Sequence, residues 1–197
     1  MNGQAQLTER FERALVYTCQ VHAGQVRKGN NVPYLSHLLA VSALVLEFGG
    51  NEDEAIGGLL HDAVEDAGGE RRLDEICQQF GESVAEIVAG CTETLRRPKP
   101  PWRVRKEEFL LRLKQASRSV LLVVGSDKLH NMRCTIRGLH QQGSQFWSHF
   151  NCSKPEFLWY FRSLQEVFLS RSGQLPSALL EELTQTLDQL QKLAAQY

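Results

Sequence analysis

An all-α fold is what this sequence predicts, and three observations carry the prediction. Apolar residues recur at three- and four-residue spacing in one segment after another. Capping signatures punctuate those segments: Asn51 with Glu54, and Ser153 with Glu156 around Lys154-Pro155. The run that best suits a buried strand, Val120-Leu121-Leu122-Val123-Val124, has no second run of similar quality to pair with, so it reads as helix.

Taken in order, Leu7, Phe11, Ala14, Leu15 and Thr18 outline a first amphipathic helix running to about His22. A breaker-rich loop from Gly24 to Pro33 follows, carrying Arg27-Lys28-Gly29-Asn30-Asn31. Two adjacent cations there suit an anion, although a solvated basic turn is the commoner reading. Ser36 is placed to cap a second helix through Leu38, Val41, Leu44 and Val45, with His37 in its first turn. Asn51 opens a third, in which Ile56, Leu59, Leu60, Ala63 and Val64 face a core until Gly68-Gly69 stops it. Leu73, Ile76 and Phe80 mark a short helix ending at Gly81, and Val84, Ile87 and Val88 another reaching Thr92.

Residues 93 to 105 break the pattern, with Pro98, Pro100 and Pro101 among Arg96, Arg97, Lys99, Arg103 and Arg105. This segment reads as a mobile basic loop, or more plainly as a solvated linker. Phe109, Leu110, Leu113 and Ala116 resume a helix, and the next runs from Val120 through Arg133. Residues 138 to 152 read as a polar connection and Phe157 to Leu169 as a helix whose Trp159, Tyr160 and Phe161 are chiefly core. A last helix, about 177–195, carries a stripe of Leu179, Leu180, Leu183, Leu187, Leu190 and Leu193. Packing on the same domain is the simplest use of that stripe, and a homodimer contact the sharper alternative.

With 197 residues, 42% hydrophobic and 23% charged, the chain is expected to form one domain over 1–197 with a sizeable core. A net charge of −1 argues against nucleic acid held on a broadly basic face. The five cysteines are odd in number and form no C-x-x-C pair, so they read as reduced core thiols of a cytoplasmic protein. No apolar run approaches membrane-spanning length, and the first ten residues lack the apolar core of a signal peptide.

The chemistry gathers at Leu59-Leu60-His61-Asp62-Ala63-Val64-Glu65-Asp66. His61 and Glu65 are four apart, as are Asp62 and Asp66, so each pair shares one side of a helix. An imidazole beside three carboxylates is costly near a core unless a cation neutralises them. Asp127, directly after a long apolar run and one turn from Asn131, poses the same problem. With His37, the set is two imidazoles and two carboxylates on three helices. Such a nitrogen and oxygen site suits manganese or iron, with magnesium or zinc as alternatives, and leaves positions for water and substrate. Phosphoester hydrolysis is chemistry that such a site performs.

The H…HD…D order resembles the HD-domain metal-dependent phosphohydrolases. The flanks narrow the likeness. His22-Ala23-Gly24-Gln25-Val26-Arg27-Lys28, Pro33-Tyr34-Leu35-Ser36-His37, Leu60 to Asp66 and Asp127-Lys128-Leu129-His130-Asn131-Met132-Arg133 resemble the hydrolase domain of RelA/SpoT-type alarmone enzymes, from roughly residue 10 to 170. The resemblance implies a manganese-dependent (p)ppGpp 3′-pyrophosphohydrolase, in the form of a small stand-alone alarmone hydrolase. It implies His37, His61, Asp62 and Asp127 as metal ligands, and Glu65 and Asp66 as the pair that orients or deprotonates water. Arg27, Lys28 and Asn131 would meet the nucleotide, Lys106 its phosphate and Tyr160 its ribose. One departure is Gly125-Ser126, where the family carries small apolar residues before the metal aspartate.

Two other readings compete. A relative acting on another phosphorylated nucleotide or dinucleotide cofactor would share the metal set, and the Arg27-Lys28 loop with Asn131 is what discriminates against it. A non-catalytic nucleotide-binding HD module would not need to keep Glu65 and Asp66.

Overall fold

Among its described residues the chain forms ten α-helical segments and two 3-10 turns, with a single backbone bridge between Val26 and Pro33 outside them. The computed structural model describes residues 6–27, 29, 31–66 and 68–197. The helices are α1 Glu9–Val21, α2 Leu35–Glu47, α3 Glu52–Leu60, α4 Ala63–Asp66, α5 Gly69–Phe80, α6 Glu82–Cys91, α7 Trp102–Leu113, α8 Arg118–Gln142, α9 Lys154–Ser170 and α10 Ser177–Ala194.

The long α8 is the axis. Every residue from Val120 to Asp127 is buried, because apolar side chains surround that stretch on all sides. Leu44 of α2, Leu113 of α7, Phe168 of α9 and Leu187 of α10 pack with Leu121 in one core. Ala14, Ile56, Leu60, Ile76, Phe80 and Val88 form a second, from α1, α3, α5 and α6. Each large side chain so withdrawn from water contributes roughly 1.5–3 kcal/mol. The leucine stripe of α10 is covered within the chain, with Leu179, Leu187 and Leu190 at 1% exposure or less.

Glu54 fixes α3 against α8. One oxygen accepts from the Asn51 backbone N–H at 2.8 Å, and Asn51 Oδ1 accepts from the Glu54 N–H at 3.0 Å, which closes the expected capping box. The other oxygen takes the Ser119 hydroxyl at 2.8 Å and the Arg118 guanidinium at 3.0 Å. From this shared pin α3 runs about 10 Å toward His61 and α8 about 13 Å to Asp127, and the two side chains meet, His61 Nε2 3.7 Å from Asp127 Oδ1. Asn51→Ala is expected to lower stability by about 1 kcal/mol in urea unfolding, by removing the cap.

Gly58 sets the spacing of α2 and α3. A Cβ there would stand 3.1 Å from Ser42 Cα, a backbone atom that cannot swing aside. Gly58→Ala is therefore expected to wedge the helices apart, at a cost of roughly 1–3 kcal/mol measured as a lowered denaturation midpoint.

Several expectations need correction. The helix opened by Asn51 does not run on to Gly68: it ends at Leu60, turns through His61 and Asp62, and restarts as α4. The Gly58 carbonyl accepts from His61 Nδ1 at 2.8 Å, a side-chain bond that competes with the helical ladder. Ser36 caps nothing; it lies in the first turn of α2, which follows Tyr34. That start is held by the loop backbone, with Tyr34 N–H donating to Gln25 O at 2.9 Å. The basic segment is irregular only as far as Pro101, after which α7 begins, so Arg103 and Arg105 are helical. The stretch from 138 is no loop at its start, since α8 runs on to Gln142. Gly138 is buried there under the Phe146 ring, which would stand 2.2 Å from a Cβ, so this glycine serves packing rather than termination. Finally, Cys19 and Cys77 are exposed, not core, and Cys91, Cys134 and Cys152 are half-buried.

Candidate active site

Three helices deliver the polar cluster. His37 comes from the first turn of α2, His61 and Asp62 from the α3–α4 turn, and Asp127 from the middle of α8. One ligand atom from each of His37, His61 and Asp127 lies within 4.8 Å of the others, and all three residues are buried. His37 Nε2 is 3.2 Å from Asp127 Oδ1, and His61 Nε2 is 3.7 Å from the same oxygen. Asp62 stands at the edge of this trio, its Oδ2 3.0 Å from His61 Nε2 and 3.8 Å from His37 Nε2. Its side chain keeps 27% exposure.

The donor set fits a divalent metal on its own terms. His61 commits Nδ1 to Gly58, which leaves the buried Nε2 as the nitrogen turned toward Asp62 and Asp127. Burial by itself would lower the His61 pKa, but the charges of Asp62 and then Asp127 outweigh it and push it up to about 9. Positive charge is thus drawn to the place where the two carboxylates converge. Asp127 is held well below the carboxylate range despite its burial, by the Lys128 charge and by His37. Lys128 Nζ pairs with Asp127 Oδ2 at 2.7 Å, while Asn131 Nδ2 donates to Oδ1.

A cleft of about 190 Å³ opens beside the cluster, lined by His61, Asp62, Glu65, Asp66, Lys106 and Tyr160 among others. Glu65 is held at its rim by Lys99 Nζ at 2.9 Å and by the Glu93 backbone N–H at 3.2 Å. Asp66 accepts from Gln25 Nε2 at 2.8 Å. Desolvation in the cleft, then the Asp62 charge, push its carboxyl above the usual value. Opposite stand two lysines and an aromatic wall. Lys106 Nζ lies 4.5 Å from the Tyr160 ring centre and pairs with the buried Glu93, which also holds Arg105. The Tyr160 hydroxyl is buried without a hydrogen-bond partner.

The expected nucleotide contacts divide. Arg27 and Asn131 do not line this cleft but bond to each other, Arg27 Nη2 donating to Asn131 Oδ1 at 2.9 Å. Through Asn131 that guanidinium is tied to Asp127. Lys28 lies outside the described residues. Gly125, the departure noted before Asp127, lets α10 approach, since a Cβ would stand 3.1 Å from Leu179 Cδ2. Its neighbour Ser126 is fully buried with an unpartnered hydroxyl, which nothing in the structure explains.

Four neighbours of the site were not singled out by sequence reasoning: Tyr34, whose hydroxyl donates to Asp62; His130, against His37; Lys128, on Asp127; and Lys99, on Glu65. Helical spacing held a signal for two of them. Tyr34 precedes His37 by three and His130 follows Asp127 by three, so each falls on the same side of the chain as one expected metal ligand.

The all-helical fold and the clustered His and Asp side chains define a metal-site class that comparison makes specific. The family described as HD domain matches residues 14–153, and the chain belongs to that family. A Myxococcus xanthus protein named GTP pyrophosphokinase is 33% identical over 130 residues, covering 62% of this chain and 17% of its own length. A Synechocystis protein named probable guanosine-3′,5′-bis(diphosphate) 3′-pyrophosphohydrolase is 34% identical over 124 residues, covering 61% and 16%. The matches thus span about a sixth of those relatives. Among solved structures, a metazoan ortholog of SpoT, described as hydrolysing ppGpp, superimposes with a TM-score of 0.75 over 94% of this chain and 97% of its own. At 22% identity that likeness is one of fold. A Listeria monocytogenes EGD-e protein gives 0.68 at 26% identity, over 77% and 96%. Among the described residues no helix is long and apolar enough to cross a membrane.

Proposed function

We propose that this chain hydrolyses the 3′-pyrophosphate of guanosine alarmones, converting ppGpp or pppGpp with water into GDP or GTP and pyrophosphate. The observation that carries the reading is the convergence of His37, His61 and Asp127, with Asp62 beside them, on a cleft rimmed by Glu65 and Asp66. Relatives named for alarmone synthesis and hydrolysis support the nucleotide. Manganese is the proposed ion, held by those four side chains, and the proposed setting is the cytoplasm, which fits five unpaired cysteines.

When bound, a divalent ion there supplies charge that polarises a phosphoryl oxygen and makes water more acidic. The chain's own groups supply the rest. Glu65 takes the proton from water, its carboxylate aimed by Lys99 and the Glu93 N–H. Asp66, with its raised carboxyl, holds a proton more readily than a free aspartate and stands ready to pass one on. Water attacks the phosphorus on the 3′ oxygen; the P–O3′ bond breaks, its electron pair stays on the ribose oxygen, and that oxygen takes a proton. Lys106, Lys128 and the unpartnered Tyr160 hydroxyl face the space where phosphate and ribose would lie. The proposed base contacts are Lys28 and the Arg27–Asn131 pair, which would have to exchange its mutual hydrogen bond for the nucleotide.

The test is product analysis. Manganese-loaded protein given ppGpp is expected to yield pyrophosphate and GDP by phosphorus NMR, with GTP, which lacks a 3′ phosphate, left almost untouched. Orthophosphate released stepwise, brisk cleavage of GTP at its 5′ end, or faster turnover of another phosphorylated nucleotide would overturn the reading.

A further inference from the structure

His37 and His130 meet nitrogen to nitrogen. Their Nδ1 atoms are 2.7 Å apart and the ring centres 4.9 Å, with His37 1% exposed. A contact that short between two imidazole nitrogens needs one proton, carried by one ring and accepted by the other. Two arrangements satisfy it. In the first, His130 donates and His37 carries its own proton on Nε2, pointing at Asp127 Oδ1 3.2 Å away. In the second, His37 donates from Nδ1 and keeps Nε2 bare.

Only the second leaves a nitrogen lone pair facing His61 and Asp127, where the ligand atoms converge. It also gives His130 a proton on Nε2; Cys134 Sγ lies 3.7 Å from that nitrogen and 3.8 Å from Nδ1, so the sulfur does not choose between the two arrangements. We propose that His130 is a positioning residue that accepts the His37 Nδ1 proton and so holds His37 in the tautomer able to ligate a metal. The inference rests on the metal-site reading above. The physical effect is familiar from other sites: an outer partner that fixes tautomer and ring plane is worth roughly 10–100-fold in metal affinity.

His61 achieves the same end differently, by donating Nδ1–H to the Gly58 carbonyl, a fixed acceptor. A backbone oxygen cannot donate, so His61 has its tautomer set permanently. His130 is a side chain able to take either role, so the His37 tautomer depends on which role it adopts.

Manganese titrated calorimetrically into the full-length chain tests the idea. His130→Leu is expected to weaken the dissociation constant by roughly 10–100-fold. His130→Asn is expected to recover most of that loss, because its Oδ1 accepts where the imidazole Nδ1 did. Wild-type affinity in His130→Leu, or no recovery in a folded His130→Asn, overturns the proposal while leaving the metal site standing. A direct readout avoids substitution altogether. In zinc-loaded wild-type protein, long-range nitrogen–proton NMR correlations are expected to show His37 protonated at Nδ1 and His130 bare at Nδ1. A proton on His37 Nε2 or on His130 Nδ1 overturns it, and a wild-type chain that binds neither ion removes the metal-site reading as well.

Discussion

Asp127→Asn is expected to leave the protein without bound metal and to slow ppGpp hydrolysis by roughly a thousandfold, equivalent to about 4 kcal/mol of lost transition-state stabilisation. The substitution keeps the shape and removes the charge. In the native chain the Asp127 carboxylate is shared by His37, Lys128 and Asn131 and lies within reach of His61. An amide in its place leaves the cluster with no buried anion, and the Lys128 ammonium faces a neutral group. Asp62 offers a graded contrast: it is more exposed and stands at the edge of the trio, so Asp62→Asn is expected to weaken metal binding less than Asp127→Asn does. Metal stoichiometry by elemental analysis, with circular dichroism to confirm folding, checks both. Equal or greater loss from Asp62→Asn would place the true centre of coordination at the α3–α4 turn.

The second large effect is expected from Glu65→Gln, which should retain metal at wild-type stoichiometry yet lose roughly 10²–10⁴-fold in turnover. Glu65 is not in the group whose ligand atoms converge, His37, His61 and Asp127; its oxygens meet Lys99 and the Glu93 N–H at the rim of the cleft. A neutral amide can still bond to that N–H but cannot take a proton from water. Single-turnover measurement separates the cases. If Glu65→Gln loses metal while folded, the side chain belongs among the ligands; if it keeps full turnover, Asp66 is the base.

Much of the site was legible because its residue types are out of place. His61, Asp62 and Asp127 stand in runs of leucine and valine, where an ionisable group is tolerated only with a partner, and helical spacing shows which of them share a face. The capping box at Asn51 was readable for the same local reason, since both of its partners lie within one turn. What escaped depends on pairing across the fold. Whether Glu93 is solvated or buried under Arg105 and Lys106 is decided by where α7 lands, which no spacing rule contains. The turn at His61-Asp62 escaped because the apolar periodicity continues in step on both sides of it. Gly138 misled in the opposite direction: glycine commonly stops a helix, but here its missing side chain seats the Phe146 ring.

Because the three buried side chains come from α2, the α3–α4 turn and α8, an ion bound there would tie metal supply to folding. α2 and α8 contribute to the larger core and α3 to both, through Ala55 in the larger and Ile56, Leu59 and Leu60 in the smaller, so an ion gripped by His37, His61 and Asp127 would add a cross-link among the three. An unfolded chain has these groups far apart and cannot offer the same grip. Any ion bound only by the folded form adds RT ln(1 + [M]/Kd) to its stability, about 2.7 kcal/mol at a hundredfold excess over Kd. Starvation for the ion would then act twice, first by silencing turnover and then by raising the fraction of unfolded chains open to proteolysis. The amount of this protein in a cell, and not only its activity, would follow the metal.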